Sequence, residues 1–311
     1  MLIDEVQEIS DWEKIVSSLL MEKAADIYIT GSNSKLLSGE LASLVAGRYA
    51  EFHIYPLGYS EFCIFRNSKG NPDNYFQEFI TMGGFPGIHQ LEFHSDIIYQ
   101  YLNAIKDSVV LKDIVLRNKI RDIQLLEKII LFLADNIGNI FSARSIADYF
   151  KNERRIMGIE TVYNYIKYLE SAFIIYKASR YDLKGKKLLE TNEKYYMADL
   201  GLRHALLGYR EKDINSFLEN IVYLEMRKRG FHIMIGKWDN LEVDFVCEKG
   251  NERVYIQVCY LLANDSIRER ELKPFYKIKD NYPKFILSMD RIPEGNTDGI
   301  RRVYLPRFLK E

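Results

Sequence analysis

Apolar residues first repeat at helical spacing between Ser10 and Met21, where Trp12, Ile15, Val16, Leu19 and Leu20 share one face and Ser10 stands as an N-cap. Asp26 to Thr30 then predicts a strand through Ile27, Tyr28 and Ile29, leaving into the small polar turn Gly31-Ser32-Asn33-Ser34. Helical spacing returns over Leu36 to Val45, and a third apolar run, Phe52 to Tyr55, stops at Pro56. With Met1-Leu2-Ile3 as the end of a buried strand, residues 1–56 predict β-α-β-α-β, the alternation of a parallel α/β sheet.

Leu57 to Leu116 is helical in pattern and is broken at Gly83-Gly84-Phe85-Pro86-Gly87, so residues 57–121 are expected to form a helical lid or connector. Residues 122–190 carry three helical patterns: Ile123 to Ile137, Ser142 to Phe150 with Ser142 as its cap, and Glu160 to Ala172. Two apolar stretches come next, Phe173 to Ala178 and Lys187 to Leu189. Three helices and a hairpin predict a winged helix-turn-helix. From residue 191 to 311 the pattern alternates again, with helices at 214–229 and 266–279 and strands at 231–235, 242–247, 253–259 and 284–289, which predicts a separate α/β domain.

Composition narrows the classes. The 311 residues suffice for several domains, and 43 basic against 44 acidic residues exclude a uniformly basic nucleic-acid coat while leaving a local patch open. Cys63, Cys247 and Cys259 are odd in number and far apart, which fits a reducing cytoplasm better than a disulfide framework. Neither an export signal nor a membrane span is expected from the sequence. His53, His89, His94, His204 and His232 follow no metal-ligand spacing and are expected to be ordinary structural residues.

The chemistry-bearing pattern is Asp4-Glu5 at the end of the first strand. In a P-loop protein such a pair orients magnesium and polarises the attacking water. The motifs downstream of the pair add specificity through their order: Leu2-Ile3-Asp4-Glu5-Val6-Gln7, Tyr28-Ile29-Thr30-Gly31-Ser32-Asn33-Ser34, Gly47-Arg48-Tyr49, Pro56-Leu57 with Glu61-Phe62, Gly83-Gly84-Phe85-Pro86, and Tyr196-Met197-Ala198-Asp199-Leu200-Gly201-Leu202. Together these resemble the prokaryotic AAA-plus ATPases in which a P-loop domain precedes a winged helix and a PD-(D/E)XK nuclease-like domain of unknown function. The resemblance implies that residues 1–56 are a partial AAA-plus core, that Asp4 and Glu5 are its Walker B pair with Asp4 toward Mg2+, that Asn33 is the first sensor, and that Arg48 is an arginine finger acting on a neighbouring subunit.

One departure matters. No G-x-x-x-x-G-K-[ST] pattern occurs in the sequence, so the Walker A loop of such proteins is missing from it. ATP and Mg2+ are the ligands of intact relatives by resemblance, yet this chain is expected to bind neither tightly and not to hydrolyse ATP by itself. In the resemblance the P-loop strand lies between the sensor strand and the next, so the latter two are expected either to close up or to leave backbone groups unpaired.

Two further candidate sites lie toward the C-terminus. The helix Thr161 to Leu169 is expected to bury Val162, Tyr165, Ile166 and Leu169 and to turn Tyr163, Asn164 and Lys167 outward. Over residues 142–190 ten bases face six acids, so DNA binding through Asn164, Lys167, Lys184, Lys186 and Lys187 stands beside a protein-contact or self-association surface. In the last domain Glu219, Glu242, Asp244 and Gln257 resemble the layout of PD-(D/E)XK nucleases, which need a helix Glu, two strand carboxylates and a Lys. Gln257 stands at one carboxylate position and Cys259 at the lysine, so a nuclease-like fold without nuclease activity is expected, with a metal-dependent nuclease as the weaker alternative.

Overall fold

The computed structural model describes the chain except residues 24, 35–48, 67–73, 153–157, 263–264 and 292–294, and the side chains of 7, 152, 190 and 191. Strand β1 (Leu2–Ile3) runs parallel to β2 (Tyr28–Ile29), with Leu2 opposite Tyr28 and Ile3 opposite Ile29. Parallel neighbours need a crossover, and α1 (Trp12–Glu22) supplies it, packing Trp12 and Val16 on Val6 in a small core with Ile3, Leu20 and Ile29. Two expectations are corrected here. Ser10 does not stand at the N-cap of α1: Asp11 does, at φ 54°, and its carboxylate turns to Lys14 at 2.8 Å. The run Phe52 to Tyr55 joins no ladder among the described residues. His53 instead contacts the Tyr176 hydroxyl at 3.1 Å and the Phe173 ring, leaving Phe52 and Ile54 81% and 87% exposed. The alternation is real, but its inner face meets aromatic rings, not a partner strand. The predicted helix over 36–45 and Arg48 lie outside the described residues.

The connector comprises α2 (Tyr59–Arg66), α3 (Tyr75–Met82) and α4 (Ser95–Val109), which runs on into a π-helical turn over Val110–Leu116. Its glycine break is a close-packed joint. Gly83 has φ 79°, and a Cβ there would lie 2.1 Å from Asp199 Oδ1, while one on Gly84 would lie 2.2 Å from the Leu57 carbonyl oxygen. Leu57 donates its amide to the Gly84 carbonyl at 2.7 Å, and Gly84 donates its own to Asp199 Oδ2 at 2.6 Å. Asp199 also N-caps α8 (Leu200–Leu207) by accepting the Leu202 amide at 3.2 Å. On the other side of the joint Glu61 accepts the Gly58 amide at 2.9 Å and pairs with Lys228.

Next come α5 (Ile123–Asp135), β3 (Ile140–Phe141), α6 (Ala143–Asn152), α7 (Ile159–Ser171), β4 (Ile175–Asp182) and β5 (Lys187–Met197). Ser142 caps α6 reciprocally with Ser145, each hydroxyl accepting the other residue's amide. Val162, Tyr165, Ile166 and Leu169 are buried as the stripe on α7 predicts. The remainder is α9 (Ile214–Lys228), β6 (His232–Trp238), β7 (Leu241–Lys249), β8 (Glu252–Val258), α10 (Asp265–Lys277), β9 (Lys284–Ser288), β10 (Gly295–Thr297), β11 (Ile300–Tyr304) and α11 (Leu305–Phe308).

The boundary expected at residues 190/191 does not divide the structure. β5 runs through it, and β4 pairs in parallel with β6, so hairpin and C-terminal strands form one nine-stranded sheet in the order β10-β11-β9-β8-β7-β6-β4-β5-β3. The apolar pattern of β5 stops at Leu189 because the chain then bulges: Ala178 faces Lys194 whereas Arg180 faces Leu189, and Asn192 adopts φ 65°. α9 packs on one side of the sheet in the main core, and α10 packs on the other with Met234, Val243 and Ile286.

The joint at Asp199 generates two expectations. Gly83→Ala combines a left-handed φ with a collision, so it should destabilise the chain by at least about 2 kcal/mol in urea unfolding. Burial raises the Asp199 carboxyl from 3.8 to about 6 against the backbone amides that favour its ionised form. Its folded pKa is the higher one, so its contribution is complete below about pH 3.8 and is lost as the pH rises through about 6. The stability of the wild type relative to Asp199→Asn should therefore fall by about 2 kcal/mol between about pH 4 and pH 7. A constant difference would contradict this assignment.

Candidate functional site

The strand tip places Asp4 and Thr30 together. The Thr30 hydroxyl donates to Asp4 Oδ1 and accepts the Glu5 amide at 3.1 Å, while the Thr30 carbonyl accepts the Val6 amide at 3.0 Å. Glu5 sits in a left-handed turn at φ 46° and is exposed. Asn33 is buried at the end of the same loop, and Ser32 anchors that loop by donating to Asp113 Oδ1 of the π-helical turn at 2.9 Å. Asp4, Glu5 and Asn33 thus share one end of the β1–β2 pair. Thr30 is the residue that sequence reading missed, although it stands in the polar tip already singled out. The residues present do not fit a nucleoside triphosphate by themselves: a carboxylate that can orient a cation is in place, but the sequence holds no loop of amides and lysine to cradle phosphates.

The outward face of α7 exposes Tyr163 and Lys167, with the Lys167 amine 4.5 Å from the Tyr163 ring centroid, and Asn164 is half-buried between them. Lys186 and Lys187 are exposed at the β4–β5 turn. Lys184 is committed elsewhere, 3.3 Å from Asp239, and the turn itself is held because Leu183 donates its amide to the Lys237 carbonyl at 2.9 Å. The hairpin is therefore joined to β6 through Ser179–Asp182 of β4 and the Leu183 amide.

The carboxylates on α9 and β7 converge with a partner that the sequence did not suggest. Lys194 Nζ lies 2.8 Å from Glu219 Oε1 and 2.6 Å from Glu242 Oε1, and the Tyr196 hydroxyl donates to the same Glu219 oxygen at 2.5 Å. Asp244 is reached through a bulge in β7: Met234 faces Val246 and Gly236 faces Val243, so β7 carries one extra residue there. Burial drives the Asp244 carboxyl well above the usual range, with the Glu219 charge adding to it, although Oδ2 accepts the Val258 amide at 2.8 Å. Burial works against the charged form of Lys194, but Glu219, Asp244 and Glu242 outweigh it and hold the ammonium charged.

Gln257 is close to Asp244 but faces away from metal chemistry. Its oxygen accepts the Asp244 amide at 3.2 Å and its amide donates to Glu271 Oε2 at 2.8 Å, where Glu271 is buried on α10 and paired with Arg270. Cys259 is buried too, and burial pushes its thiol up to about 12. Among the described residues no group of three or more His, Cys, Asp or Glu side chains is placed to hold a metal. Lys194, Tyr196 and Glu271 carried no spacing signal, because each is recruited from an element remote in sequence. The Gln257 geometry predicts that Gln257→Glu, which sets a second carboxylate against Glu271, destabilises the fold by about 1–3 kcal/mol near pH 8 in denaturant unfolding. The loss should shrink on acidification, as one carboxylate of the pair takes up a proton.

Among the described residues no helix is long and apolar enough to cross a membrane. Comparison with known proteins adds the family. An AAA domain family model matches residues 1–63, and a "Domain of unknown function (DUF8612)" model matches residues 73–213, across the 190/191 boundary. An uncharacterized protein of Methanocaldococcus jannaschii is 34% identical over 298 residues, covering 90% of this chain and 65% of that protein. An uncharacterized protein of Haemophilus influenzae is 38% identical over 311 residues, covering 99% of this chain and 76% of that protein. With that identity over nearly its whole length and an AAA domain at its start, the chain belongs to the family of the Haemophilus influenzae protein, an AAA-type, ATPase-related family.

Proposed function

We propose that this chain is an ATP-dependent protein of the AAA type whose strand tip, Asp4, Glu5 and Asn33, acts on ATP and Mg2+ only when joined to a phosphate-cradling loop that the present sequence does not contain. The observation that carries this reading is the bond from Thr30 to Asp4 across two parallel strands, which aligns the acidic pair and the buried Asn33 at one end of the sheet. Arg48, outside the described residues, completes the set only by resemblance. The purified 311-residue chain should show no ATP turnover above buffer, and Glu5→Gln should change nothing. Turnover that disappears on Glu5→Gln refutes the proposal.

A second reading is a DNA-binding or protein-interaction module, and it has its own support. Three helices and a three-stranded antiparallel arrangement, β4-β5-β3, match the layout of a winged helix, with α7 presenting Tyr163, Asn164 and Lys167. Lys186 and Lys187 extend that face, whereas Lys184 is held by Asp239. Alanine at Lys184, Lys186 and Lys187 together should flatten the salt dependence of DNA affinity by about two units of log–log slope. An unchanged slope takes the hairpin out of the reading and leaves α7 as a protein-contact surface. The order of α9, β6, β7, β8, α10 and β9, with the four strands adjacent in the sheet, supports a nuclease-like ancestry for the C-terminal part, with no nuclease activity expected.

A further inference from the structure

Carboxylates gathered in a poorly hydrated place need a counter-charge, and either a metal ion or an ammonium can supply it. The group formed by Glu219, Glu242 and Asp244 has its own. Lys194 is 4% exposed, bonds both glutamates, and enters from β5 directly after the bulge that turns it toward α9. Glu219 is also covered, while the Glu242 side chain stays 34% exposed. Gly138, in the turn before β3, donates its amide to the Tyr195 carbonyl at 3.1 Å, and a Cβ on it would come within 3.3 Å of Glu219 Oε2. An ammonium wedged between two carboxylates leaves no room for a divalent ion bonded to the same oxygens. A lysine that instead steadied water in a working nuclease would stand beside the metal, on a face open to a phosphodiester.

We propose that Lys194 is a built-in cation in the place a divalent metal would take, so that Glu219, Glu242 and Asp244, which are not placed to hold a metal as they stand, become a metal site only when that side chain is removed. The proposal rests on the nuclease-like layout only for the choice of carboxylates and is independent of the ATPase reading. It accounts for Gln257 and Cys259 as well. Once an internal ammonium supplies the charge, neither a third strand carboxylate nor a second lysine is needed, and both positions pass to packing and to the bridge toward Glu271.

The test uses the full chain and Mn2+ alone as the probe, read by thermal unfolding and by the loss of the free Mn2+ paramagnetic signal. Wild type and Lys194→Arg should show no site-bound Mn2+, because both keep the cation. Lys194→Met, which removes the charge at similar length, should bind one Mn2+ and gain several degrees in Tm at about a hundred times its Kd. Asp244→Asn added to Lys194→Met should weaken that binding at least tenfold. If Lys194→Met is unfolded without metal, refolding on adding Mn2+ supports the proposal, and failure of both Lys194→Met and Lys194→Ala to fold at any Mn2+ concentration overturns it. Mn2+ bound by the wild type and lost on Asp244→Asn, or a folded Lys194→Met indifferent to Mn2+, also overturns it.

Discussion

The parallel pairing of β4 with β6 governs most of what the C-terminal two-thirds of the chain can do. A β-hairpin on its own has two edges in solvent. Here Ser179–Asp182 on one edge pair with β6, which satisfies part of that row of backbone groups and continues the core of the helical region into the sheet above α9. β5, paired with β4 at Ala178–Lys194 and Tyr176–Tyr196, brings Lys194 and Tyr196 to Glu219 on α9. Without it the carboxylates on α9 and β7 would lack their ammonium.

The joint around Asp199 does for the connector what β4–β6 pairing does for the sheet. Four motifs separated by up to about 140 residues, at Leu57, Glu61, Gly83-Gly84 and Asp199, meet through backbone amides and two carboxylates. Gly201 belongs to it too, since a Cβ there would lie 2.3 Å from the Met82 carbonyl oxygen. These glycines are needed because backbone and the Asp199 carboxylate approach so closely there that a Cβ would collide. The loop after β2 is tied to the π-helical turn through Ser32 and Asp113, which places the end of this connector in contact with the strand tip bearing Asp4.

Charge explains why the two acidic sites differ. At the strand tip Asp4 and Glu5 are exposed, so water screens them and a cation can arrive from solvent. In the C-terminal cluster Asp244 and Lys194 are both buried, and the charge must be balanced from within. The first arrangement suits a site completed by a ligand; the second suits a site completed by the fold.

Local pattern is enough for the elements that bury a face of their own. The helix α7 with its stripe of Val162, Tyr165, Ile166 and Leu169, the Ser142 cap, and strands β6 to β9 follow from period and propensity over a few residues, and the Asp4-Glu5 strand end is legible for the same reason. The run at 52–55 reads wrongly as a strand because alternation reports a buried face without saying whether a strand or an aromatic ring covers it. β5 reads as too short because a bulge interrupts its period while hydrogen bonding resumes beyond. Motif order in the sequence determined the ancestry, since ancestry is carried by residue identity. Only tertiary structure decided that hairpin and C-terminal strands are one sheet, that Gln257 bridges to Glu271, and that Lys194 sits between Glu219 and Glu242, because those facts depend on distances between segments far apart in the chain.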